Sequence, residues 1–318
     1  MGWSVKPDLK AMDESHGSGP IVKANLHQLT SKFRFNISLQ HSPTPFYSCQ
    51  LVMNTNDPLV LYGEHFASRM MLGTSRYPSP EIMLQCVKEI EPAFLTVSLR
   101  RQMPHQSTEP QGNTFWSLLK ETRTPLLPNT AGCHSVKEVL ATAQMAREVF
   151  ETDWIKLEII GDDYTLQPDT LALPVAAKAL IDLGFKVLPY CTEDLVLCQK
   201  LLDVGCQAVM PWAAPIGTGK GPINPYALQS LRDRLKVPMI VDAGLGVPSH
   251  ACQVMEWGFD GVLLNTAVAL AQNPLGMAHA FSNAVKAGRM AYRSGAMKAQ
   301  DQAQASTPLM GTPFWHQS

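Results

Sequence analysis

The chain has 318 residues, 45% of them hydrophobic and 17% charged, with a formal net charge of -1. That is ample material for one large core, since a single α/β barrel takes about 250 residues. A near-neutral balance without blocks of like charge argues against a nucleic-acid or acidic-membrane partner, and no apolar run is long enough to cross a bilayer.

Seven cysteines (Cys49, Cys86, Cys133, Cys191, Cys198, Cys206 and Cys252) are scattered without a C-x-x-C pair. This odd, unpatterned set points to a reduced, cytoplasmic protein and to no metal site. Met1–Lys10 has no apolar signal-peptide core.

Residues 1–58 are rich in Ser, Pro, His and Asn and show little helical period. They read as a poorly ordered extension, with one strictly alternating stretch, Phe33–Gln40, that suits a short strand. A regular alternation of strands and helices fills residues 59–295. The expected strands are Ser68–Leu72, Leu95–Leu99, Pro125–Pro128, Trp154–Ile160, Lys186–Tyr190, Ala208–Pro211, Met239–Asp242 and Gly261–Asn265. Helical spacing of apolar residues marks Pro80–Ile90, Asn113–Thr122, Ser135–Phe150, Pro168–Leu183, Glu193–Val204, Pro225–Leu235, Ser249–Trp257 and Pro274–Arg293. Helix-start residues open several of them: Pro80 with Glu81, Ser135 with Glu138, and Ser249 after Pro248. Eight strands in strict alternation with helices predict an α/β fold, a single (β/α)8 barrel. The competing doubly wound sheet often carries G-x-G-x-x-G after its first strand, and Leu72-Gly73-Thr74-Ser75 does not supply it. Residues 296–318, small, polar and Pro/Gly-containing, read as a flexible C-terminal tail.

The fourth strand, W-I-K-L-E-I-I-G-D (154–162), is the most informative segment. Period two places Ile155, Leu157 and Ile159 on one apolar face, and Lys156, Glu158 and Ile160 on the other. An amine and a carboxylate inside a sheet are costly unless paired or used. Desolvation is expected to lower the proton affinity of Lys156, freeing its amine to attack a carbonyl while Glu158 moves protons. A purely structural ion pair is the alternative.

In such barrels the chemistry sits at the C-terminal ends of the strands, and phosphate sites form after strands seven and eight. The seventh strand ends in Asp242-Ala243-Gly244-Leu245-Gly246 and the eighth in Asn265-Thr266, with a glycine-rich loop at Gly217–Gly221 after the sixth. Backbone N–H groups there can hold a phosphate. Asp242 reads as a second acid/base group, a helix cap or a partner of Lys156. Arg100 and Arg101 are an anion clamp or a solvated pair, and Asn129–Gly132 lines the site or caps the next helix. Cys191 has no sequence neighbour to activate it and reads as an inert thiol. These residues describe an imine-forming enzyme for a phosphorylated carbonyl compound and leave aldolase and transferase both open.

Taken together, several motifs closely resemble bacterial thiazole synthases. They include S-R-M-M-L-G-T-S-R-Y (68–77), L-L-P-N-T-A-G-C (126–133), W-I-K-L-E-I-I-G-D (154–162), A-P-I-G-T-G-K-G-P-I-N-P (214–225), V-D-A-G-L-G-V-P-S (241–249) and V-L-L-N-T-A-V-A (262–269). The resemblance runs from about Asp57 to Tyr292, and Ser306–Leu309 looks like the family's C-terminus. It implies that Lys156 forms a Schiff base with 1-deoxy-D-xylulose 5-phosphate and that Glu158 and Asp242 transfer protons. It assigns Gly217, Ala243, Gly244, Asn265 and Thr266 to the sugar phosphate. It implies three further partners: a ubiquitin-like sulfur carrier protein with a thiocarboxylated C-terminus, an enzyme that makes dehydroglycine, and further copies of the chain in a homotetramer. It implies no cofactor and no metal. Two positions depart from the family pattern: Ser75 replaces a glycine, and Lys220 stands where an uncharged residue is common. Residues 1–58 have no counterpart and contain no Gly-Gly, so they are not a fused sulfur carrier.

Overall fold

The computed structural model describes residues 57–99 and 111–304. The expected strand at Phe33–Gln40, Arg100, Arg101 and the tail beyond residue 304 lie outside the described residues. Strands β1 (Leu59–Leu61) and β2 (Glu64–Phe66) form an antiparallel hairpin. Then follow β3 (Met70–Gly73), α1 (Pro80–Ile90), β4 (Leu95–Ser98), α2 (Gln111–Thr122), β5 (Leu126–Asn129), α3 (Val136–Phe150) and β6 (Trp154–Leu157). Next come β7 (Ile160–Asp162), β8 (Gln167–Pro168), α4 (Ala172–Asp182), β9 (Lys186–Cys191), α5 (Leu195–Asp203), β10 (Met210–Pro211) and α6 (Pro225–Arg234). The chain continues through β11 (Ile240–Asp242), α7 (Pro248–Glu256), β12 (Gly261–Leu264), α8 (Thr266–Ala269) and α9 (Pro274–Ser294).

Eight strands make one parallel sheet in the order β10-β9-β6-β5-β4-β3-β12-β11. Parallel bridges Val209–Met239 and Trp212–Asp242 join its two edges, so the sheet closes as the expected barrel. Alternation explains the two cores. Met71, Leu127, Trp154, Leu188, Met210, Ile240 and Leu263 cluster inside, while Leu72, Val97, Ile155, Leu157, Val187 and Val262 pack outward under the helices. Ser79 and Ser135 cap α1 and α3 as their sequence positions predict, accepting from the N–H of Ile82 and Glu138.

Three differences from expectation stand out. Strand four stops at Leu157 instead of running to Ile160, because the Thr130 hydroxyl takes over the backbone of Glu158. It accepts from the Glu158 N–H (2.8 Å) and donates to the Glu158 carbonyl (2.6 Å). The chain then turns, the Ile160 N–H donates to the Cys133 carbonyl, and Ile160 pairs with Pro168 in the β7–β8 hairpin. This uses Pro168 as a strand residue, so the helix expected from Pro168 begins at Ala172, where Asp169 Oδ1 accepts from the N–H groups of Leu171 and Ala172. The β1–β2 hairpin was not expected. Leu59, Leu61 and Phe66 join the interior cluster with Trp154 and Phe94, at the strands' N-terminal ends, and plug the bottom of the barrel.

Candidate active site

Lys156 is the third residue of β6 and points inward, as the period predicts. Glu158 follows the strand's end on the same face. Asp242 is the last residue of β11 and reaches across the interior. The Lys156 Nζ lies 2.9 Å from Glu158 Oε1 and 2.6 Å from Asp242 Oδ2. The three residues are only 5%, 5% and 3% exposed. Of the earlier readings of Asp242, its pairing with Lys156 is the one observed. The apolar face expected opposite them is also present, with Ile155, Leu157 and Ile159 fully buried in the outer core.

The electrostatics correct one expectation. Burial does work against the Lys156 ammonium, but the carboxylates of Asp242 and Glu158 outweigh it and raise the lysine's proton affinity. The resting lysine is therefore a paired ammonium and not the free amine that desolvation alone predicts. Asp242 is itself pushed up, by burial first, against the opposing pull of Lys156. With two carboxylates for one ammonium, Asp242 is the base best placed to take the lysine's proton.

Around this triad the mouth holds buried polar atoms without a partner among the described residues: Asn129 Oδ1, Tyr190 Oη and Asn265 Oδ1. Buried polar groups are paired in the great majority of cases, so such atoms mark a place for ligand or water. Asn129 pairs in register with Lys156, in line with its expected lining role. Tyr190 was missed. The signal was present in V-L-P-Y-C (187–191), where the parity that sends Leu188 inward also sends Tyr190 inward. The same parity turns Cys191 outward. Its thiol lies 3.7 Å from that of Cys198, and burial pushes it well up, away from the thiolate form that a nucleophile needs.

The glycine-rich loops meet at the same end. Ala243 and Gly244 are consecutive left-handed residues, φ 66° and 78°. A Cβ on Gly244 would lie 2.4 Å from the Ala214 nitrogen, so only glycine fits there. The Ala213 N–H donates to the Ala243 carbonyl and the Gly221 N–H to the Gly244 carbonyl, which ties the strand-six loop to the strand-seven loop. Gly217 is exposed with open space at its Cβ position, and Thr266 opens α8. Asn265 packs against Gly73 so closely that a Cβ there would sit 2.5 Å from its Cγ. Its Nδ2 donates to Ser75 Oγ at 2.6 Å, which places the Ser75 departure in direct contact with the site. Lys220 faces solvent. Among the described residues no group of three or more His, Cys, Asp or Glu side chains is arranged to hold a metal ion, and no helix is long and apolar enough to cross a membrane.

Residues 60–308 match the family model described as thiazole biosynthesis protein ThiG. The chain belongs to the thiazole synthase family. Thiazole synthase of Variovorax paradoxus (strain S110) is 72% identical over 261 residues, which are 82% of this chain and 96% of that one. Thiazole synthase of Paracidovorax citrulli (strain AAC00-1) is 68% identical over 262 residues, 82% and 97% of the two chains. Among solved structures, a chain of the Amycolatopsis orientalis BexX/CysO complex superposes with a TM-score of 0.69 at 26% identity. It covers 78% of this chain and 100% of its own. This thiazole synthase family member is thus a (β/α)8-barrel enzyme of thiamine biosynthesis, with a lysine–dicarboxylate cluster at the mouth.

Proposed function

We propose that this chain condenses 1-deoxy-D-xylulose 5-phosphate, dehydroglycine and sulfur from a thiocarboxylated carrier protein into the thiazole phosphate of thiamine, as a sulfur-transferring transferase. The observation that carries the reading is the buried Lys156, held between Glu158 and Asp242 at the C-terminal mouth of a thiazole synthase barrel.

In this mechanism the sugar carbonyl displaces the ion pair. Asp242 takes the proton of the lysine, and the freed amine attacks the C2 carbonyl. The carbinolamine loses water after a carboxylic acid protonates its oxygen, which gives the Schiff base. A carboxylate then removes the C3 proton, and the imine tautomerises to a C3 ketone. Sulfur arrives there from the carrier, dehydroglycine closes the ring, and Lys156 is released. The sugar phosphate sits on the loops of Gly217, Ala243 and Gly244 and on Asn265 and Thr266. The left-handed pair at Ala243–Gly244 and the locked neighbouring loop support that placement. The carrier partner draws support from the structural neighbour having been solved as a complex of two proteins. It also draws support from Tyr164 and Tyr226, exposed at 95% and 83% on segments that follow β6 and β10 at the mouth end. A homotetramer in the cytoplasm, supplied by a separate dehydroglycine-forming enzyme, completes the reading. The mechanism uses no cofactor.

The test is to incubate the protein with 1-deoxy-D-xylulose 5-phosphate, reduce with borohydride and map the adduct by peptide mass spectrometry. A reduced adduct on Lys156, absent from Lys156→Ala, is expected. Folded protein without an adduct would sink the mechanism.

A further inference from the structure

Among the described residues Tyr190 is the largest side chain buried without any exposed surface, and its hydroxyl has no partner there. Buried polar groups are paired in the great majority of cases, so an idle hydroxyl marks a place where something binds. Tyr62 shows what a structural phenol on this chain does: its hydroxyl donates to the Val187 carbonyl at 2.7 Å and accepts from the Val187 N–H at 3.1 Å. Tyr77 is only partly buried, and its hydroxyl, also unpartnered among the described residues, has Cys86 as its electrostatic neighbour and lies outside the charged cluster. Tyr190 is different. In register, Lys156 pairs with Leu188 and Leu157 with Pro189, which sets Tyr190 one step further, beside Glu158. The Lys156 Nζ stands 5.5 Å from its ring centroid. The ring is held edge-on, 6.4 Å from that of Trp212, whose indole N–H donates to Glu193. Trp212 in turn bridges to Asp242. A fixed ring, an idle hydroxyl and a reacting lysine share one wall.

Burial, and after it the negative charges of Asp242 and Glu158, keep this phenol protonated across the working range. It is therefore a hydrogen-bond donor beside two carboxylates that can serve only as acceptors once ionised.

We propose that Tyr190 is a catalytic residue of the tautomerisation: its hydroxyl donates to the oxygen on C3, the carbon next to the imine carbon. This rests on the imine reading above. In the step, a carboxylate takes the C3 proton, the C3–H electron pair becomes the C2–C3 double bond, and the iminium π pair returns to nitrogen. The C3 hydroxyl then gives its proton to a carboxylate as C3=O forms, and C2 takes a proton. Nothing is oxidised or reduced overall. Tyr190 stabilises the negative charge that grows on the C3 oxygen and ends the step still protonated.

The experiment gives full-length protein 1-deoxy-D-xylulose 5-phosphate without sulfur carrier or dehydroglycine, quenches with borodeuteride over time and locates the deuterium in the adduct by tandem mass spectrometry. Reduction of the imine puts deuterium on C2, whereas reduction of the tautomer's ketone puts it on C3, so C3 labelling reads the half-step in which charge grows on the C3 oxygen. Tyr190→Phe, which keeps the ring, is expected to retain C2 labelling within about two-fold and to form the C3-labelled adduct about a hundred-fold more slowly. Tyr62→Phe is expected to leave the C3:C2 ratio unchanged. Equal C3 labelling in Tyr190→Phe and wild type would overturn the proposal, as would parallel loss of C2 and C3 labelling in that variant. Wild-type protein that forms no adduct would overturn the imine reading instead, and a wild-type adduct labelled only at C2 would overturn the tautomerisation itself.

Discussion

At the scale of single residues the chemistry turns on where one proton rests. Lys156 holds it against burial because Asp242 and Glu158 together supply two negative charges. In the proposed imine mechanism the substrate draws that proton onto a carboxylate, and Asp242, pushed up by burial, is the readier acceptor. Once Asp242 is already protonated it cannot accept. The rate of imine formation is therefore expected to fall as pH drops through the raised Asp242 pKa, above the ordinary carboxylate range. Asp242→Asn should lose that acid limb and slow trapping by about a hundred-fold or more, measured as borohydride-trapped adduct against time and pH. A second expectation concerns Gly244. An alanine there combines a left-handed φ of 78° with a Cβ 2.4 Å from the Ala214 nitrogen, so the loop must move. Gly244→Ala should weaken binding of inorganic phosphate by at least about ten-fold, read by calorimetry, while the lysine cluster still traps sugar at saturating concentration.

The elements act by placing those residues. Thr130, between β5 and α3, ends strand β6 by binding both backbone groups of Glu158, and so aims the Glu158 side chain at Lys156. Thr130→Val keeps the volume but leaves a buried N–H and a buried carbonyl unpaired, at about 1–3 kcal/mol each. The denaturant midpoint should fall accordingly, and amide exchange at Glu158 should rise more than at its neighbours. If the amide stays as protected as in wild type, the account of the strand's end is wrong. The β1–β2 hairpin does its work at the opposite end, where Leu61 is fully buried in the interior cluster. Leu61→Ala is expected to cost about 2–5 kcal/mol, measured by urea unfolding. Both features escaped the sequence for the same reason. A three-residue strand has too few alternations to register as a period, and the I-I-G-D run extends the β-strand pattern without recording that a threonine 28 residues earlier captures the backbone.

On the scale of the whole molecule, Asp57 joins the start of the described chain to its last helix. Its carboxylate accepts from Arg289 Nε and Nη2 at 2.8 and 2.9 Å and from Arg69 at 2.9 Å. Arg69 also donates to the Asp260 carbonyl, so β3, β12 and α9 share one clasp. Hydrogen bonding from Arg289 first, and the charge of Arg69 after burial's opposing effect, hold the Asp57 carboxyl below its usual range. A depressed carboxylate stabilises the fold above its unfolded pKa, and that contribution disappears as pH falls through the folded value. The wild-type denaturant midpoint should thus drop below about pH 3.9 more steeply than that of Asp57→Asn, which should already be weaker near neutrality by about 1–3 kcal/mol. Much of this molecule was legible in the sequence. Eight inward-facing strand patterns set between amphipathic helices specify a barrel by local periodicity alone, and Lys156, Glu158 and Asp242 stand at strand ends where a barrel puts its chemistry. The family's long motifs named the loops as well. Only the tertiary structure decided the charge on Lys156, because a lysine's proton affinity depends on which carboxylates the closed barrel brings within 3 Å of it. It alone decided that Tyr190 has no partner among the described residues, since a hydroxyl is satisfied or idle according to neighbours contributed by other strands. Periodicity is a property of the chain, whereas desolvation and pairing are properties of the space the chain encloses.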